Sequence, residues 1–247
     1  TSDTTVTSET TVTSDTTVTT VTSETTSDPG IDVPFVTETS VKLPEQGGDK
    51  KVISSMPNTK FYFSYEEGFN LDGLKVEVEV EQLWSDGKTT TAKVDITKDV
   101  VVKGSATPAS MYDNTKFKYD VEVVYVGSEY SEIVDVVLGT FTAYIGQKGD
   151  IELNHNVRVQ DATATIKEFL ARDFEETTLN ELVAQAKLEE ELAGVGTEFA
   201  EFLADVDEDG KITVQDATSI TKFFLEKDFD ANLDVYKTWK TLIPTIK

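Results

Sequence analysis

The sequence predicts a multidomain α+β chain, an antiparallel β-sandwich followed by a small all-α domain. Apolar residues alternate with polar ones across 33–144 and recur at helical spacing after Gly149, and a threonine-rich repeat precedes both. These shifts divide the chain into a linker at 1–32, a sandwich at 33–145 and a helical domain at 146–247.

Residues 1–30 repeat TSDTTV-like hexads and contain 14 threonines and no basic residue. Such a segment buries too little apolar surface to offset its ordering entropy, so a disordered linker is expected. Threonine repeats of this kind are typical of secreted proteins, and this one reads as a spacer within a longer chain.

Strand signals follow. "KFYFSYE" sets Phe61, Phe63 and Tyr65 against Lys60, Tyr62 and Ser64, and "LKVEVEVEQLW" sets Val76, Val78 and Val80 against Glu77, Glu79 and Glu81. Period two of this kind marks a half-buried strand, with the glutamates on a solvated face. Asp86-Gly87 is a hairpin-turn signal leading into "TTTAKVDI". Further alternating runs in "VVVKG", "KFKYDVEVVYV" and "SEIVDVVLGTFTAYI" complete the pattern of an antiparallel sandwich.

Beyond Gly149 the period becomes helical. A helix over 160–172 places Ala162, Ile166, Phe169 and Leu170 on one face. Thr178-x-x-Glu181 reads as a capping box opening a helix with Leu179, Leu182, Val183, Ala186 and Leu192, stopped by Gly194 and Gly196. A short helix over 197–204 carries Phe199, Phe202 and Leu203, and a long one over 214–227 carries Ala217, Ile220, Phe223, Phe224 and Leu225. The tail "LDVYKTWKTLIPTIK" is aromatic enough to pack back on the domain.

Two 12-residue stretches carry the chemistry. "DVDEDGKITVQD" (205–216) offers oxygen from Asp205, Asp207, Asp209, the Lys211 carbonyl, Thr213 and Asp216, with Gly210 at the sharp turn. Calcium takes six to eight oxygens from positions 1, 3, 5, 7, 9 and 12 of such a loop. "DIELNHNVRVQD" (150–161) repeats the spacing with Asp150, Glu152, Asn154, the Asn156 carbonyl and Asp161, but has His155 in the glycine place. A positive φ is expected there, and histidine tolerates it better than most residues. His155 therefore reads as a turn residue rather than a ligand. Val157 and Ile212 correspond and are expected to pair between the loops. Calcium is expected in both loops.

The likeness extends past the loops: "VQDATATIKEFLARDF" (159–174) and "VQDATSITKFFLEKDF" (214–229) agree at ten positions. A metal site needs only its loop, so a repeated helix points to a second purpose, a surface that meets a partner.

Composition narrows the alternatives. A formal charge of −24, from 46 acidic and 22 basic residues, disfavours nucleic acid and anionic membranes and suits cation binding. No cysteine and a single histidine exclude disulfides, thiolate metal sites and zinc held by several imidazoles. Apolar runs are too short for a membrane span.

A duplicated calcium loop with Asp at position 12, followed at once by its helix, resembles a dockerin, the module that plugs into cohesins in cellulosomes. The upstream sandwich resembles an Ig-like X-module, and the pair resembles the C-termini of ruminococcal scaffoldins and cellulose-binding anchoring proteins. This resemblance implies EF-hand-like calcium loops and a secreted protein, monomeric when free and held at the cell surface through a cohesin. It also implies cohesin contacts at Val159, Gln160, Ile166, Lys167, Ala171, Val214, Gln215, Thr221, Lys222 and Glu226. The stretch 174–204 is longer than the usual spacer between dockerin repeats.

Other classes fit less well. A glycoside hydrolase needs two carboxylates in an aromatic-lined cleft, but Trp84 and Trp239 fall in separate domains, and no nucleophile elbow or phosphate loop is present. A calmodulin-like sensor opens a methionine-rich groove, and both methionines precede the helical domain. The expected function is non-catalytic, although the residues also suit the end of a dockerin-bearing hydrolase or a calcium-stabilised surface adhesin.

Overall fold

The computed structural model describes residues 17–20, 34, 36–42, 52–127, 136–171, 179–230 and 232–244. Nine strands and six α-helices occur among them. The first part of the chain holds β1 (Thr17–Thr20), β2 (Val36–Lys42), β3 (Ile53–Ser55), β4 (Phe61–Phe63), β5 (Lys75–Trp84), β6 (Thr89–Asp95) and β7 (Val100–Val102). Then come α1 (Pro108–Met111), β8 (Lys118–Tyr125), β9 (Val136–Gly146), α2 (Val159–Ala171), α3 (Leu179–Ala186), α4 (Gly196–Ala204), α5 (Val214–Phe229) and α6 (Val235–Leu242). Most of the threonine repeat, and Thr178 of the expected capping box, lie outside the described residues, but Thr17–Thr20 pairs antiparallel with β2.

One sheet runs β1-β2-β5-β3 with β6 also on β5, and the other runs β4-β9-β8-β7. The expected plain sandwich followed by an all-α domain is not what forms. The chain divides into one unit of Thr1–Asn58, Asn70–Ser105 and Val121–Phe141, and a second of Thr59–Phe69, Ala106–Asp120 and Thr142–Lys247. The second unit is therefore mixed, containing β4, the end of β9 and all the longer helices.

The reason lies in β4, which is apolar on both faces. Phe61 and Phe63 meet Phe202 at 5.7 and 4.3 Å between ring centres, and Phe61 meets Phe199 at 5.4 Å. On the other face Tyr62 is fully buried, edge-on to Phe69, and donates from its hydroxyl to the Thr59 carbonyl. A strand buried on both sides cannot serve as the half-solvated strand that the alternation suggested. It pairs in parallel with the end of β9, Phe61 opposite Tyr144 and Phe63 opposite Gly146. A Cβ at Gly146 would stand 2.9 Å from both Leu203 Cδ1 and Phe199 Cζ, so α4 lies directly against that strand end.

In the first unit β5 follows its pattern closely. Val76, Val78 and Val80 are buried, whereas Glu77, Glu79 and Glu81 are not. Glu79 stands opposite Lys93 on β6, and Gly87 takes φ 81° in the connecting turn.

The helices of the second unit enclose two apolar clusters. One gathers Phe63, Phe117, Ile151, Leu153, Leu179, Leu192, Phe199 and Leu203; the other gathers Val157, Ala162, Val206, Ile220, Phe223 and Trp239. The helix expected to reach Gly194 stops at Ala186. Lys187 takes φ 58°, Leu188 N–H donates to the Val183 carbonyl and Lys187 N–H to that of Ala184. That bond pair is a Schellman stop, and it ends the helix well before the glycines.

Candidate metal loops and docking face

The two loops fold on one plan. In the second, the Asp205 carboxylate accepts from the amides of Asp209 (3.1 Å) and Gly210 (2.8 Å). In the first, the Asp150 carboxylate accepts from those of Asn154 (3.0 Å) and His155 (2.7 Å). The fifth residue accepts from the seventh in each, Lys211 N–H to Asp209 and Asn156 N–H to Asn154. The closing Asp216 takes the amides of Val206, Asp207 and Thr213; Asp161 takes those of Glu152 and Arg158. Positive φ recurs at the same places, Leu153 and His155 in one loop and Glu208 and Gly210 in the other.

The closing aspartate of the second loop also starts a helix. Thr213 caps α5 by accepting from Gln215 N–H, while Asp216 accepts the Thr213 amide and hydroxyl. Loop and helix are thus one hydrogen-bonded unit, which explains why they repeat together.

The second loop suits a hard divalent cation. Asp205, Asp207 and Asp209 each bring a carboxylate oxygen to within 4.8 Å of the others. Oxygens sharing a calcium at about 2.3–2.6 Å can stand at most about 5 Å apart, so the spacing fits. Burial, with repulsion from Asp216 and neighbouring aspartates, pushes the Asp205 and Asp207 carboxyls up from the usual range. A cation would relieve that penalty.

The first loop has fewer carboxylates and more burial. Burial pushes Asp150 up to about 6 and Asp161 up to about 7, against the lowering effect of their backbone hydrogen bonds. A carboxyl raised on folding contributes stability below its unfolded pKa and loses it as pH rises through the folded value. Chelated protein is therefore expected to melt roughly 5 °C higher at pH 5 than at pH 8. Bound calcium favours the ionised carboxylates and should reverse the trend. Thermal melts across pH with and without chelator check this, and Asp161→Asn should flatten the chelated profile.

His155 has a local cause. Its ring stacks on Phe117 at 3.9 Å and 12°, and Nδ1 lies 2.9 Å from the Tyr112 hydroxyl. The Gln147 side chain donates to the His155 carbonyl. The imidazole is turned into an aromatic pocket of the same unit, and burial lowers its pKa. The expected pairing of Val157 with Ile212 is not found among the described residues. Val157 packs in the cluster with Trp239, and Ile212 packs against the cluster with Phe199.

Two lysines reach from one repeat to the other. Lys148, just before the first loop, is buried and donates to the Val206 carbonyl (2.9 Å) and the Glu208 carboxylate (2.6 Å), over the Phe63 ring. Lys227, on the helix after the second loop, donates to the Asn156 side-chain oxygen at 2.6 Å.

Helices α2 and α5 pack together and bury matching residues. Asp161, Ala162, Ala164, Thr165 and Glu168 are buried in α2; Asp216, Ala217, Ser219, Ile220 and Phe223 are buried in α5. The outward faces match as well. Val159 is 45% exposed and Val214 49%; Leu170 is 57% exposed and Leu225 48%. Ile166 lies on this outer face, with Thr221 half-buried at the equivalent place. Gln160, Lys167, Gln215, Lys222 and Glu226 are exposed and Ala171 half-buried.

Leu170 and Leu225 are exposed rather than buried with the apolar face read from periodicity, Ile166 is exposed too, and the exposed Phe229 extends the same stripe. Leucine at equivalent places in both repeats, eleven residues after each valine, was the available signal. Helical period alone could not separate two apolar stripes on one helix. No protein-family model matches this chain, and no curated protein is significantly similar to it.

Proposed function

We propose that the chain is a non-catalytic, calcium-dependent assembly module of the dockerin type, secreted and monomeric when free, whose α2–α5 face docks a cohesin. It would fix its parent protein into a cellulosome or onto the cell surface. The observation that carries this reading is the repeated exposed stripe, Val159, Ile166 and Leu170 on α2 and Val214 and Leu225 on α5, with the half-buried Thr221 at the place of Ile166. Apolar residues left outside at matching places on both helices need a partner to leave water. Lys167 and Lys222 flank the two stripes at equivalent positions in an otherwise acidic protein, which favours an acidic rim on that partner. The paired loops support the calcium requirement, because each closing aspartate ties its loop to the helix that bears the stripe.

Binding to a panel of cohesins, measured with the full chain in calcium and in excess chelator, tests the proposal. Calcium-dependent capture by at least one cohesin is expected. Charging both stripes, with Val159→Asp, Leu170→Asp, Val214→Asp and Leu225→Asp together, should weaken it by at least about a hundredfold, since each apolar side chain buried on docking contributes on the order of 1.5–3 kcal/mol. Equal capture in chelator, or full affinity of the fourfold variant, would refute the reading.

A further inference from the structure

We propose that Lys227 is a resident countercharge for the first loop, lowering that loop's calcium affinity below that of the second. This rests on the calcium reading above and adds which residue sets the difference between the loops. The ammonium is delivered across the repeat: Lys227 sits on α5, after the second loop, and bonds the Asn156 side-chain oxygen of the first at 2.6 Å. Asn156 is the seventh residue of that loop, whose carbonyl is the expected ligand. The lysine is half-buried, and its charge acts on both end carboxylates, Asp150 and Asp161.

Lys148 stands in a different relation to the second loop. Its ammonium is bound to a carboxylate, Glu208, and to the Val206 carbonyl, so its charge is largely answered where it lies. Among the described residues the hydrogen-bond partner of Lys227 is a neutral amide, which leaves its charge to act on Asp150 and Asp161. The two loops also differ in their own charge. Four aspartates occupy ligand places in the second loop, against Asp150, Glu152 and Asp161 in the first, where Arg158 replaces Thr213. A cation entering the first loop therefore meets fewer negative charges and a lysine already using them.

Removing a unit charge several ångströms from a divalent ion, screened as strongly as in bulk water, changes affinity by about tenfold. The amides of His155 and Gly210 report the two loops separately, because each donates to the first carboxylate of its own loop. Calcium titration of the full chain, followed at these two amides by NMR, is the test. Lys227→Met should tighten the first loop by about tenfold and change the second by less than about twofold. Lys227→Arg, which keeps the charge, should leave both within about twofold of the unsubstituted chain. Unchanged or weakened affinity of the first loop in Lys227→Met, with Gly210 still responding to calcium, overturns the role of Lys227 and leaves the calcium reading standing. Silence of both amides in the unsubstituted chain overturns the calcium reading, and the role of Lys227 with it.

Discussion

Excess chelator is expected to unfold the second unit at a temperature where the calcium-loaded chain stays folded. Asp205, Asp207 and Asp209 converge within 4.8 Å, with Asp216 buried behind them, and without a cation their repulsion opposes the loop conformation. A ligand that binds only the folded state stabilises it by about 4 kcal/mol at a thousandfold excess over its Kd. The effect should spread from the loop to the core. Val206 lies in the same cluster as Trp239, Phe223 and Ile220, and Asp216 starts the helix that supplies two of them. Calorimetric melts in calcium and in chelator should differ in the transition of this unit, whereas the valine-strand unit should melt alike in both. Asp207→Asn with Asp209→Asn should abolish the second loop's share of the chelator shift and leave only that of the first loop. Superimposable melts with and without calcium would sink the metal reading.

How far the sequence disclosed this outcome depended on whether a signal was local. The β5 alternation was legible because each valine points inward independently of distant residues. The loops were legible because ligand spacing within 12 residues fixes their shape, down to the positive φ at His155. The fate of β4 was not legible. Phe61 and Phe63 look like half of an alternating strand; their partners Phe199 and Phe202 lie more than a hundred residues on, and only the full burial of Tyr62 against Phe69 shows the other side to be covered too. The aromatic pocket that holds His155 is likewise formed by Tyr112 and Phe117 from a distant segment. Leu170 and Leu225 were misplaced for a different reason. Helical periodicity reports that a residue is apolar, and it gives no sign whether water or a partner covers it.

The tail offers the sharpest measure of what lies outside the repeat yet holds it together. Trp239→Ala is expected to cost the second unit about 3–5 kcal/mol, the range for deleting a large buried ring. Trp239 is fully buried and stacks on Phe223 at 4.2 Å with 3° between the rings, and a Cβ on Gly149 would come within 3.3 Å of its Cζ2. It thus joins α6 to the root of the first loop and to the helix after the second. Its Nε1, however, is buried with no hydrogen-bond partner among the described residues. Leaving a donor unsatisfied costs on the order of 1–3 kcal/mol, so Trp239→Phe, which removes that donor and keeps the stacked ring, should cost about 1 kcal/mol or less. Trp84 provides the contrast. It lies half-exposed at the end of β5 and bonds Thr90 Oγ1 through Nε1, so Trp84→Ala should cost about 1 kcal/mol and spare the second unit. Urea unfolding of the calcium-loaded variants would measure all three, and a cost below about 1 kcal/mol for Trp239→Ala would show that α6 does not seal the loop-bearing core.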